Sequence, residues 1–248
     1  MRFQLKICDI FPHYYYVLTF FIVLYTPTWV RKLFVMHKMI ITLLLSFSCI
    51  LANAQTDWHL KRDEDGIKVY TAATPNSDFK SIKVECTVNA RLSQLIAFLL
   101  DVDKQPDWVY NSKHTQLLKK IAPNEFVFYS EVSVPWPCTN RDYIAHLLIT
   151  QVSPQLLTID SHTEPNLLPE KDGIVRIKNS VAHWEITSIN ATTQKIVYTV
   201  RFDPAGAIPA WLTNMFVAKG PFETFQKLRT NVSNPAYQNA HVDFLKEQ

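Results

Sequence analysis

Glycine is nearly missing from this chain: four residues in 248, at Gly66, Gly173, Gly206 and Gly220. They are too scattered to build a loop whose backbone N–H groups close on a phosphate. Cysteine is as scarce, with Cys8, Cys49, Cys86 and Cys138 too far apart for a zinc-ligand pair. The histidines beyond residue 54 (His59, His114, His146, His162, His183 and His241) are dispersed, with neither an H-E-x-x-H nor a G-x-S-x-G pattern. No acidic cluster compensates. These absences speak against a metal site, a bound cofactor and the common hydrolase chemistries. For Cys86 and Cys138 the reading is buried free thiols, with a disulfide as the alternative.

A surplus of positive charge is missing too, once the leader is set aside. Residues 39–54 have the form of a secretory signal: His37 and Lys38 flank about ten apolar residues, and Ala52-Asn53-Ala54 is an A-x-A cleavage site. The expected leader is 1–54, with the signal at 36–54 and Gln55 as the first mature residue. Upstream, Tyr14 to Val30 is an apolar run of about 17 residues, barely a bilayer's width. It is read as an over-long start ahead of Met36 or Met39, with a membrane anchor through residues 14–52 as the alternative. The leader carries Arg2, Lys6, Arg31, Lys32 and Lys38 against Asp9. Beyond it stand 20 Lys and Arg against 21 Asp and Glu, so the +3 of the whole chain becomes −1. Nothing electrostatic then favours nucleic acid. An exported protein, periplasmic or secreted, is expected, and a monomer.

Residues 55–248 show no repeat, linker or low-complexity stretch. Lys61 to Asp65 reads as a charged lead-in. Ile67 to Tyr70 and Phe79 to Val88 alternate as half-buried strands, with Ile82, Val84, Cys86 and Val88 on one side. Leu92, Leu95, Ile96, Leu99 and Leu100 switch to helical spacing. Further strands are expected over 114–120, 125–134, 141–152, 156–162, 173–185 and 195–202, and an exposed loop over 164–172. Residues 234–248 read as a polar tail apart from Val242, Phe244 and Leu245.

Asp203 to Val232 organises the whole. Asp203-Pro204-Ala205-Gly206 is a turn signal. Ile208, Trp211, Leu212, Met215, Phe216, Phe222, Phe225 and Leu228 then mark an apolar helix face, interrupted near Lys219-Gly220. So oily a helix must lie across something. The expected fold is α+β: a curved antiparallel sheet wrapped around a long C-terminal helix.

Three stretches resemble the START (steroidogenic acute regulatory protein-related lipid transfer) family and its helix-grip fold. Val134 to Tyr143 (VPWPCTNRDY) is similar to the family's proline-led strand start ending in R-D-[FY]. Asp203 to Leu212 (DPAGAIPAWL) is similar to the lead into its C-terminal helix. Asp101 to Trp108 is similar to its helix-to-loop passage. The resemblance covers roughly 58–232 and implies a START-like domain over 55–233. It also implies a hydrophobic tunnel between sheet and helix for one lipid or other apolar small molecule, transient membrane contact, and a lid at the C-terminal helix. Some relatives hold an acid and a base inside the tunnel. Glu131 stands where the acid is expected, whereas alternation from Arg141 gives Tyr143, Ala145, Leu147 and Ile149 as the inward positions, none basic.

The candidate ligand contacts are Trp108, Glu131, Trp136, Tyr143, Trp184 and Tyr198, with Trp211, Met215 and Phe216 on the suspected lid. Large amphipathic aromatics line apolar sites well and fill cores equally well. Arg141-Asp142 reads as a structural pair rather than a gate. Arg176, His183 and Arg201 are expected to face outward. The function expected is binding or carriage of an apolar ligand without catalysis. The alternative is a cyclase- or aromatase-like enzyme using Glu131, His146 or Tyr143.

Overall fold

The computed structural model describes residues 27, 29, 32, 33, 35–39, 56–75, 77–206, 208 and 215–246, with the backbone alone at 78, 215 and 216. The chain divides into two units, Met1–Gln55 and Thr56–Gln248. Every described strand belongs to the second unit. Residues 40–54 of the signal segment and nearly all of the upstream apolar run lie outside the described residues, as do Asn76 and 209–214.

The second unit opens with a strand, β1 (His59–Glu64), where a charged lead-in was expected. It pairs with β2 (Ile67–Thr74) through a two-residue hairpin, Asp65-Gly66, at φ 52° and 71°. Two successive positive φ values twist the turn as the flanking strands require, and Gly66 adopts one at no steric cost. β3 (Ser77–Asn89) follows antiparallel. Helix α1 (Leu92–Leu100), a 3₁₀ turn (Val102–Lys104) and the short α2 (Gln105–Trp108) then lead to β4 (Ser112–Ala122). A meander returns through β5 (Glu125–Val132), β6 (Arg141–Gln151) and β7 (Leu156–Thr163). After the two-residue β8 (Val175–Arg176) come β9 (Asn179–Asn190) and β10 (Thr193–Asp203). The sheet order is β1-β2-β3-β10-β9-β7-β6-β5-β4, every neighbouring pair antiparallel, with β8 parallel to β6.

The single strand expected over 173–185 is two. Val175 N–H donates to the Asn140 carbonyl at 2.9 Å and Ile177 N–H to the Asp142 carbonyl at 2.8 Å. These bonds hold β8 on β6, while β9 pairs with β7 and β10. One run of sequence thus serves two partners.

A π-helical turn (Met215–Lys219) runs into α3 (Gly220–Asn231), with Pro221 in the first turn, where its missing N–H leaves no bond unmade. α3 packs against β2, β3 and α2. Phe222, Phe225, Leu228 and Val232, spaced three or four apart, are buried and share the main core with Ile67, Val84 and Ile186. Full burial of each such side chain contributes roughly 1.5–3 kcal/mol. The C-terminal end of α3 is tied to α1 by Gln94, whose Nε2 donates to the Val232 carbonyl at 2.7 Å. The segment beyond is part of the body: α4 (Pro235–Gln238) brings Tyr237 edge-on to Phe98 at 5.4 Å. The Tyr237 hydroxyl donates to Asp101 at 2.8 Å, and Val242 and Leu245 are buried. Cys86 and Cys138 are both free.

Candidate functional site

A cavity of about 290 Å³ lies between the sheet and α3, at the lower end of the size expected for small-molecule sites. Alternation along β6 builds one wall: Arg141, Tyr143, Ala145 and Leu147 line it, as the period of two requires. β9 and β10 build the second wall with Trp184 and Tyr198, partners in register whose rings stand 4.6 Å apart. Phe225 of α3 closes on both, at 5.4 Å from Trp184 and 5.5 Å from Tyr198. α2 adds Trp108, which rests on Phe98 at 5.1 Å. The Trp108 indole N–H is buried without a hydrogen-bond partner among the described residues. Burial raises the phenol pKa of Tyr143 and of Tyr198 above the ordinary tyrosine value, so both rings are neutral hydroxyl-bearing walls.

Of the residues singled out from sequence, the structure brings Trp108, Tyr143, Trp184 and Tyr198 together around this cavity. Trp136 is not with them. It is 89 % exposed, in the β5–β6 connection. Glu131 is on the other side of β5. Phe128 and Val132 line the cavity, so the odd positions face away, and Glu131 accepts from Lys113 at 2.8 Å and Asn140 at 3.0 Å. The Lys113 bond holds its pKa below the usual carboxylate value, against the opposing effect of burial. Trp211 lies outside the described residues, as do the side chains of Met215 and Phe216 and most of the suspected lid.

The other candidate acid-base groups separate by the same parity. His146 faces away from the cavity, its ring nitrogens 2.7 Å from Glu125 and 2.9 Å from Glu164. Arg141 and Asp142 do not pair with each other, because adjacent strand residues point to opposite faces. Asp142 is bound instead by Arg176, which was expected to face outward and is fully buried. Arg176 Nε and Nη2 donate to the two Asp142 carboxylate oxygens at 2.7 and 3.0 Å. Its remaining N–H groups go to the carbonyls of Pro165, Leu168 and Pro169. One buried guanidinium thereby pins the loop over 164–172. Arg201 faces solvent, and His183 is half-buried with its Nδ1 2.7 Å from Asp160 Oδ1.

A curved antiparallel sheet closing on one long helix, with a cavity between them, defines a helix-grip protein. The model of the START domain matches residues 48–237, and the chain belongs to that family. It is 29% identical over 174 residues to an uncharacterized protein of Pseudomonas aeruginosa, covering 70% of this chain and 86% of the relative. It is 28% identical over 176 residues to the phosphatidylcholine transfer protein of Bos taurus, covering 68% and 81%. Among solved structures, a StAR-related lipid transfer protein from Xanthomonas axonopodis superposes with a TM-score of 0.65 at 29% identity, covering 71% of this chain and 98% of that one.

Proposed function

We propose that this domain carries one lipid or similar apolar small molecule in the cavity between sheet and α3, without transforming it. The observation that carries the reading is an aromatic-walled cavity, Trp184, Tyr198 and Phe225, in a START domain. The similarity to a phosphatidylcholine transfer protein and to a StAR-related lipid transfer protein supports it. Apolar burial at roughly 25 cal/mol per Å² gives an acyl chain reason to leave water for such a site. Binding is favoured over catalysis because two of the three acid-base candidates, Glu131 and His146, engage partners on the far face of the sheet. Export with the leader removed, transient contact with a membrane to exchange ligand, and a monomeric state complete the proposal.

Native mass spectrometry of the full chain, offered mixed lipids, tests it. The expected result is a bound lipid on the wild type and none on Ala182→Trp, which adds bulk where Ala182 lines the cavity. A wild type that takes up nothing from any mixture sinks the reading.

A further inference from the structure

We infer that the cavity's ligand carries an oxyanion, a carboxylate or a phosphate, and that Arg141 receives it. The inference rests on the binding reading above and adds the chemistry of the ligand's polar end.

Arg141 lines the cavity and is 5 % exposed. A guanidinium offers five N–H donors and does not lose its proton in proteins. One nitrogen of Arg141, Nη1, donates to the carbonyl of Thr139. Among the described residues, Nε and Nη2 have no acceptor, and no carboxylate forms an ion pair with the side chain. The described lining residues include no Asp or Glu, and Arg141 is the one Lys or Arg among them.

Burying a cation without a counter-charge is expensive, which is why buried arginines are paired. This protein shows the rule on the next residue. Asp142, on the opposite face of β6, meets Arg176, and all five N–H donors of that guanidinium have acceptors. The two arginines are neighbours through the β6–β8 pairing, Arg141 with Val175 and Asp142 with Arg176. One is saturated by the protein. The other faces a mainly apolar chamber, whose polar lining (Gln105, Ser161, His162, Thr163, Ser180 and Thr224) brings no carboxylate, with its fork open, the geometry that binds carboxylate and phosphate oxygens in bidentate fashion. Trp108 stands on the same cavity wall, and its buried indole N–H is also without a partner among the described residues. A ligand with an apolar body and an anionic end satisfies both surfaces; a neutral one leaves the guanidinium unpaired.

The experiment compares three amphiphiles of one chain length on the full chain: palmitate, hexadecyl phosphate and hexadecanol, each displacing a polarity-sensitive fluorescent probe. The wild type is expected to bind at least one of the two anions about tenfold or more tightly than the alcohol, the scale of hydrogen bonds to a charged group. The tighter anion identifies the head chemistry. Arg141→Gln is expected to lose that gap while retaining the alcohol, and Arg141→Lys to keep part of it. Hexadecanol binding to the wild type as tightly as both anions would overturn the inference, and needs no variant to fold. Binding of none of the three overturns the cavity reading itself, a separate outcome.

Discussion

The buried pair behind β6 supports a quantitative prediction. Arg176 and Asp142 have side-chain exposures of 0% and 1%, and the carboxylate takes two of the five N–H bonds of the guanidinium. The hydrogen bonds Arg176 donates to Asp142 raise the Arg176 pKa above its ordinary value, against the opposing effect of burial, so the cation persists at every accessible pH. Asp142→Leu leaves that cation in place with only the loop carbonyls around it. Breaking one half of a buried pair costs about 3–5 kcal/mol. For a domain of this size each kcal/mol is worth roughly 2–4 °C, so the melting temperature should fall by roughly 6–20 °C. Removing both charges, as Asp142→Leu with Arg176→Met, should recover most of that loss, because a dry apolar pair of similar volume is often no worse than the ions. The loop over 164–172 should not recover. Its carbonyl contacts at Pro165, Leu168 and Pro169 come from Arg176, and the double variant lacks them. Urea denaturation of the four proteins in the cycle gives the coupling, and amide hydrogen exchange reads the loop. A single-variant cost below about 1 kcal/mol would refute the reasoning; so would a double variant as unstable as the two singles added.

Three further outcomes are expected. Phe225→Ala removes the ring that meets both Trp184 and Tyr198 and should cost about 3–5 kcal/mol by denaturant titration. Burial pushes the Cys86 thiol up to about 12, so iodoacetamide at pH 8 should label it only after unfolding, whereas half-buried Cys138 labels in the folded protein; peptide mapping distinguishes them. Glu131 has a folded-state pKa lowered chiefly by Lys113, so its contribution is full above the ordinary carboxylate pKa and is lost as pH falls through the lowered value. The stability gap between wild type and Glu131→Gln should therefore close towards acid pH, and a gap independent of pH would argue against the Lys113 pairing.

Much of the fold was readable because its faces differ. Ile82, Val84, Cys86 and Val88 alternate with polar residues and all four are buried, as a strand with one wet face requires. β1 was not readable that way. His59–Glu64 is polar and almost wholly exposed, so no hydrophobic period marks it. The available signal was the Asp65-Gly66 pair, a two-residue hairpin turn, which implies a strand on each side. β8 is legible from neither direction. Two residues carry no period, and the reason they sit on β6 is Asp142, 34 residues away.

Glu131 shows why the site was harder to read than the fold. β5 reads Glu-Phe-Val-Phe-Tyr-Ser-Glu-Val and is buried on both faces, the odd positions Val127 and Tyr129 packing with Ile144 behind the sheet. A strand covered on both sides is a continuous apolar run, and such a run carries no parity. Which face met the cavity could be counted only from β6, whose polar residues break the symmetry. That count puts Arg141 on the cavity side together with Tyr143, Ala145 and Leu147. A base sought farther along β6 is not there; the basic residue stands at the start of the strand. The same parity divides the Arg141-Asp142 dipeptide. One residue goes to a closed structural pair behind the sheet, the other to an open guanidinium in front of it. Neither assignment follows from the dipeptide alone. Both follow once Arg176 is seen to take the carboxylate, because that leaves the remaining charge no carboxylate to meet among the described residues.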